Sequence, residues 1–165
     1  MNEPNKIEPE LYYAALGKIA VAMNLLELHI RHAFQKVLGQ ETGTFLMALS
    51  ATDNFSRLLE VLRMSFAYKV SDPNVRTQFD SLVAQIGRLN EDRSRYIHSN
   101  WFFTLDRSRV IRWRSRRWPI GGEQDSQPKL EDLKKLVDDI GETTNDFLKF
   151  IDAQFPSRGA TPTST

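Results

Sequence analysis

The sequence predicts an all-α protein: an antiparallel bundle of about five helices with a small β-hairpin between the fourth and fifth helices. Apolar residues recur at alternating spacings of three and four over most of the chain, which is the spacing of one buried helix face. Capping residues, glycines and prolines separate these stretches, and one segment is instead aromatic and β-branched. With 165 residues, 41% hydrophobic and 26% charged, the chain has the size and composition of one globular domain.

The first helix follows a polar N-terminus, residues 1–8, which we expect to be flexible. Gly39 and Gly43 bracket its end, because glycine is the usual residue just beyond a helix C-terminus. Its apolar positions have the spacing of a helix packed in a bundle: Tyr12, Leu16, Ile19, Met23, Leu26, Ile30, Phe34 and Val37. The helical domain is expected to cover residues 9–155, and a disordered tail is expected at 156–165.

Four further helices are predicted. Residues 45–49 (FLMAL) indicate a short buried second helix, and Asp53 or Asn54 can cap the third. Asp72 followed by Pro73 opens the fourth helix, since proline is favoured in a first helical turn. The apolar positions are Phe55, Leu58, Leu59, Leu62 and Phe66 in the third helix, Val75, Phe79, Leu82, Ile86 and Leu89 in the fourth, and Leu130, Leu133, Val137, Ile140, Thr144, Phe147 and Ile151 in the fifth.

A hairpin at about residues 101–114 is predicted between the fourth and fifth helices. Residues 101–105 (WFFTL) and 109–114 (RVIRWR) have strand composition, and the polar residues 106–108 between them predict a turn. The segment from Pro119 to Pro128, which contains two adjacent glycines, is predicted to be a loop.

Several function classes lack their sequence signals. There is no cysteine, hence no disulfide or thiolate zinc site, and His29 and His32 have no third metal ligand. We find no glycine-rich phosphate loop, nucleophile elbow or cofactor motif, so no cofactor is expected. No signal peptide or membrane span is predicted, which favours a cytoplasmic location without membrane contact.

Positive charge is concentrated around the hairpin. Residues 88–118 hold nine arginines against three acidic residues, a local charge of +6 in a chain of net charge +1. In a strand, Val110, Arg112, Arg114 and Arg116 share one face, while Ile111 and Trp113 lie on the other. We predict nucleic-acid binding by Arg109, Arg112, Arg114, Arg116 and Arg117, with Trp118 stacking a base. The alternative is a solvated face that protects an edge strand.

The end of the fourth helix carries the main candidate site. Arg93 occupies a position where the apolar spacing of the fourth helix predicts an apolar residue. A buried guanidinium needs an acidic partner or an anionic ligand. His98 follows five residues later, about 140° around a straight helix from Arg93. The two side chains can converge if the helix ends or bulges before His98, or if two copies meet across a two-fold axis.

The segment resembles the Arg-x4-6-His motif of the HEPN superfamily. Arg93 and His98 fit the motif, and Ser94 occupies a polar position that is often Asn. Small bacterial and phage-associated HEPN-like proteins share further features, here Gly17 and Glu27 in the first helix and the exit His98-Ser99-Asn100-Trp101 into a hairpin. The architectural resemblance covers roughly residues 10–155.

The resemblance implies a metal-independent endoribonuclease that dimerises through the Arg93/His98 region and acts on RNA in a toxin, defence or stress system, with a protein antitoxin or regulator as a candidate partner. His98 would be the general base, and Arg93 would stabilise charge on the phosphoryl oxygens. The supporting residues would be Asn90, Glu91, Ser94 and Glu27. In another branch, HEPN proteins pair with a nucleotidyltransferase that modifies a tyrosine two residues after the histidine. That position is Asn100 here, so the resemblance gives no support to that mechanism.

A non-catalytic helical module that binds a protein partner or nucleic acid is the alternative. In that case Arg93 pairs with an acid such as Glu27 inside the bundle, and His98 caps the helix C-terminus, where a cationic imidazole suits the helix dipole. The spacing of Glu27 and Arg31 predicts a different pairing, an ordinary ion pair between them on the helix surface.

Overall fold

The protein is mostly helical, as predicted. The computed structural model describes residues 6–39, 54–115, 122–126 and 128–156. Within these ranges the elements are α1 (Pro9–Leu38), α2 (Phe55–Lys69), α3 (Pro73–Ile97), β1 (Asn100–Phe103), β2 (Val110–Ser115), β3 (Gly122–Ser126) and α4 (Leu130–Gln154). The predicted short helix at 45–49 and the end of the predicted tail, 157–165, lie outside the described residues. The predicted third, fourth and fifth helices therefore correspond to α2, α3 and α4.

The starts of α2 and α3 and the end of α1 lie at the predicted signals. Asn54 accepts a hydrogen bond from the Arg57 amide at 3.1 Å, and Asp72 accepts one from the Asn74 amide at 2.8 Å. Each side chain satisfies an amide that has no partner within its own helix. Gly39, with φ of 77°, adopts the left-handed conformation directly after α1. The caps predicted for α2 and α3 and the glycine stop predicted for α1 are confirmed.

The chain divides into two compact units, each containing parts of the long helices. The first unit comprises 1–23 and 89–140, and the second comprises 24–88 and 141–165, in both cases as far as these residues are described. The sheet and the end of α3 belong to the first unit, whereas α2 belongs wholly to the second.

The second unit has an aromatic core. The rings of Phe66 and Phe79 stack with centroids 3.9 Å apart, and Phe150 and Phe155 contact Phe66 at 5.7 and 5.8 Å. Polar contacts also join helices of this unit: Gln85 donates to the Thr143 hydroxyl at 2.8 Å, Arg63 pairs with Asp80 at 3.1 Å, and Lys36 pairs with Asp152. Phe66 and Phe79 are buried and Phe150 and Phe155 are half-buried, so their contacts remove apolar surface from water and hold α2, α3 and α4 together.

In the first unit the sheet packs on α1. Tyr12 contacts Trp101 and Phe103 of β1, with ring centroids 6.1 and 5.6 Å apart. The Tyr12 hydroxyl donates to the Pro128 carbonyl at 3.2 Å, and the Ile7 amide donates to the Arg107 carbonyl at 2.9 Å.

The sheet has three antiparallel strands in the order β1-β2-β3, rather than the two of the predicted hairpin. The prediction of a loop from Pro119 to Pro128 is wrong at Gly122–Ser126, which forms β3. The residues of β3 are polar and have low strand propensity, so its conformation comes from the ladder of hydrogen bonds with β2.

α1 is both long and apolar. By length and composition this helix could cross a membrane, which was not predicted. This is weak evidence, because core helices meet the same criterion. Ile19, Leu26 and Ile30 are completely buried, whereas Val21 on another face is 69% exposed.

Candidate functional site

The C-terminal end of α3 is held by a set of local hydrogen bonds. The His98 amide donates to the Ser94 carbonyl at 3.2 Å, the Ser99 hydroxyl donates to the Arg95 carbonyl at 2.5 Å, and the Trp101 indole Nε1 donates to the Tyr96 carbonyl at 3.1 Å. These donors satisfy carbonyls that lack partners at a helix end. The path of the chain from α3 into β1 is therefore well defined.

His98 lies one residue beyond the end of α3 and is exposed. Because its amide still bonds to the carbonyl four residues earlier, the backbone follows the helical path as far as His98. The offset of about 140° from Arg93 is therefore retained within one chain. Among the described residues, the imidazole has no hydrogen-bond partner, so the carbonyls at this helix end are satisfied by other groups.

Arg93 is half-buried on α3, and its Nε atom is fully buried. Within the described residues this N–H has no hydrogen-bond partner. A buried donor without an acceptor is costly, most of all in a charged group, and such a group calls for an explanation. An anionic ligand would provide the missing acceptor once the side chains that cover Nε move aside.

The other residues of the predicted site differ in their surroundings. Asn90 and Ser94 are half-buried on α3, and Glu91 is exposed. Glu27, in the second unit, pairs with Arg31 at 2.6 Å, which confirms the ion pair predicted from their spacing. A second pair at the end of α3 was not predicted: Asp92 accepts from Arg95 at 3.2 Å.

Arg112 is 8% exposed, which contradicts its predicted role as a phosphate ligand on the open face of the strand. Its guanidinium carbon lies 4.9 Å from the centre of the Tyr96 ring, and the Tyr96 ring in turn stacks on Trp101 at 6.3 Å. Burial raises the pKa of the Tyr96 hydroxyl, an effect that the charge of Arg112 opposes. Val110 and Arg112 are both buried and therefore face inwards. Arg112 can do so because its guanidinium covers the ring of Tyr96.

The remaining residues predicted to bind nucleic acid are only partly described. Arg109 is exposed just before β2, and Arg114 lies in β2 opposite Glu123. The predicted ligands Arg116, Arg117 and Trp118 lie outside the described residues.

Two further features of the described residues were considered as sites, a metal-ligand cluster and a groove lined by residues other than Arg93 and His98. The described part of the chain contains no group of three or more His, Cys, Asp or Glu residues that could hold a metal ion. The rings of His29 and His32 lie 6.4 Å apart on α1. A groove of about 170 Å³ in the first unit is lined by Leu11, Ala14, Ala15, Lys18, Lys134, Val137 and Asp138.

Comparisons of the chain with protein-family models, with curated proteins and with solved structures find no match. The residues of the site are therefore the basis for assigning a function. The two facts that matter most are an exposed histidine and, five residues before it, a guanidinium with a buried, unpaired N–H.

Proposed function

We propose that this protein is a metal-independent endoribonuclease of the HEPN type, with a helical bundle of about five helices as its scaffold. The observation that carries the proposal is the buried Arg93 Nε, which has no acceptor among the described residues. A phosphate oxygen is an acceptor of the right charge, and the planar guanidinium matches phosphate geometry. His98, five residues later, is an exposed side chain of the type that acts as a general base.

The chemistry requires only these two groups and the RNA. His98 removes the proton of a ribose 2′-OH, and the oxygen attacks the adjacent phosphorus. The bond from phosphorus to the 5′-oxygen breaks, and the leaving oxygen takes a proton from an imidazolium or from water. Arg93 stabilises the charge that develops on the non-bridging oxygens. The products are a 2′,3′-cyclic phosphate end and a 5′-hydroxyl end.

The proposed active form is a homodimer whose two-fold axis runs near the ends of the two α3 helices. Arg93 and His98 of one chain point about 140° apart, so they cannot act together on one phosphate from a single helix. A second copy across the two-fold axis brings another Arg93/His98 pair to the same place. Light scattering at tens of micromolar protein is expected to give twice the mass of one chain. A monomer under these conditions would remove this part of the proposal.

The decisive experiment is incubation of purified protein with mixed RNA in excess EDTA. We expect cleavage with 2′,3′-cyclic phosphate ends and no cleavage of DNA, because DNA lacks the nucleophile. Cleavage that requires magnesium, or wild-type cleavage by folded His98→Ala protein, would contradict the mechanism. The better account would then be a non-catalytic helical module that binds a protein partner or nucleic acid.

By the same resemblance we propose a role in a toxin–antitoxin, phage-defence or stress system of the cytoplasm, with a protein antitoxin or regulator as partner. Induced expression of the wild-type protein is expected to arrest growth, while equal expression of His98→Ala protein is not. Equal growth arrest by both proteins would show that the toxicity does not depend on RNA cleavage by His98.

A further inference from the structure

The face of the sheet that points away from α1 carries exposed aromatic side chains. Trp113 lies opposite Asn100, and Ile111 lies opposite Phe102. Directly opposite residues in an antiparallel pair share a face, so these four residues form one surface, here called the outer sheet face. Phe102 is 53% exposed and Trp113 is 37% exposed.

The inner face is already occupied, which leaves the outer face as the open one. Phe103 packs against Tyr12 and Tyr13, and Val110 is 2% exposed. Phe102 and Trp113 are diagonal neighbours across the two strands, at a Cα separation of about 7–8 Å. At this separation, one flat ligand can cover both side chains, or two flat groups that follow each other in a ligand can each cover one of them.

The outer sheet face lies next to the candidate catalytic residue. β1 begins two residues after His98, and Trp113 is paired with the first residue of β1, Asn100. Two extended residues span at most about 7 Å, and paired Cα atoms lie about 5 Å apart, so Trp113 is within about 12 Å of His98 between Cα atoms. Exposed Arg107 and Arg109 on the same hairpin add positive charge.

We propose that the outer sheet face stacks an unpaired base of single-stranded RNA, next to the phosphate held at Arg93 and His98. This proposal rests on the proposed function and specifies its substrate as RNA strands, loops or bulges with free bases. Every base has a flat π surface, so aromatic stacking holds it without sequence choice, while arginines attract the backbone. Bases inside a duplex are already stacked on their neighbours and cannot cover Phe102 and Trp113.

The test measures RNA binding without cleavage. In a His98→Ala background, a fluorescein-labelled single-stranded RNA of ten nucleotides and the duplex of the same sequence are titrated by anisotropy in EDTA. Trp113→Leu and Phe102→Leu are each expected to weaken single-strand binding about tenfold, a typical effect of losing one stacked base. Trp113→Phe, which keeps an aromatic ring, is expected to bind like the parent, and the duplex is expected to bind less tightly than the single strand.

Tyr68→Leu is the matched control, because Tyr68 is an aromatic residue of α2 that is 83% exposed. It is expected to leave the affinity unchanged. Circular dichroism verifies the fold of each variant, and Phe102→Leu keeps the test valid if Trp113→Leu unfolds.

Unchanged single-strand affinity in the folded leucine variants would overturn the proposal. Loss of dimer mass without loss of RNA affinity would also overturn it and would assign the outer sheet face to a second copy of the chain. Cleavage by the wild-type protein tests the proposed function separately. Failure of the stacking surface can therefore be distinguished from failure of the nuclease mechanism.

Discussion

The guanidinium carbon of Arg112 in β2 lies 4.9 Å from the centre of the Tyr96 ring in the last turn of α3. The same Tyr96 accepts a hydrogen bond through its carbonyl oxygen from the Trp101 indole at 3.1 Å. Tyr96 thus connects both β1 and β2 to the end of α3, at a position two residues before His98. The placement of His98 relative to the sheet depends on these contacts.

Arg112→Gln is expected to lower the free energy of unfolding by about 1–2 kcal/mol, since a desolvated cation–π contact is lost. Urea unfolding measures the change. Arg109→Gln, at an exposed position on the same hairpin, is the control and should stay within about 0.5 kcal/mol of the wild type. If Arg112→Gln left the stability unchanged, the Arg112–Tyr96 contact would not stabilise the fold.

The salt dependence of RNA binding should come from the other arginines of this segment. Changing Arg109, Arg114 and Arg116 to Gln is expected to flatten the slope of log K against log salt by up to about three units, because each phosphate contact releases counterions. Arg112→Gln should leave the slope unchanged, since the side chain is buried. An unchanged slope in the triple variant would assign these arginines to solvation of the strand.

His98→Ala is expected to reduce RNA cleavage by about 10²–10⁴-fold, the usual contribution of a positioned acid–base group. The stability should change by less than about 0.5 kcal/mol, because His98 is exposed. Thermal unfolding of the same preparation provides this control. Full activity in a folded variant would exclude His98 as the base.

Substitution of Arg93 should separate activity from stability. Arg93→Lys is expected to abolish most cleavage, since the compact ammonium group of lysine does not reproduce the planar, paired hydrogen-bond donors of the guanidinium. Arg93→Met should also be inactive, yet its free energy of unfolding should rise by about 1 kcal/mol, because a buried donor without an acceptor is removed. Marked destabilisation by Arg93→Met would instead indicate a structural role and favour the binding module.

Asp106 should make the stability of the hairpin depend on acid pH. Hydrogen bonds from the Thr104 side chain and from the Ser108 amide and hydroxyl lower the pKa of this carboxyl from 3.8 to about 2. A lowered folded-state pKa stabilises the fold above about pH 4, and this stabilisation is lost as the pH falls through about 2.

Asp106→Asn is therefore expected to lower the Tm at pH 6, and its difference from the wild type should shrink between pH 4 and pH 2. Glu142→Gln, which changes an exposed acidic residue of α4, is the matched control. A Tm difference that stays constant down to pH 2 would contradict the predicted role of the Asp106 charge.

The helical elements follow from local sequence, because a helix is decided by spacing and caps within a few residues. The apolar spacing of α1, the Asn54 cap and the Asp72-Pro73 start act over distances of one or two turns. The structure contains both helix starts, and the predicted apolar positions of α1 are buried except Leu16, which is half-buried. The ion pair of Glu27 and Arg31 is equally local, since four residues bring the two side chains together on a helix.

The direction of the sheet faces and the third strand follow only from tertiary packing. Alternation shows that Val110 and Arg112 share a face, but the covered face depends on Tyr96 and Tyr12, which come from distant parts of the chain. β3 has no strand signal of its own and becomes a strand because β2 offers unpaired backbone groups. Local patterns determine the periodicity of a strand, whereas burial depends on which distant residues pack against each of its faces. For this reason only the tertiary structure shows that Arg112 is buried and that Phe102 and Trp113 are exposed to solvent.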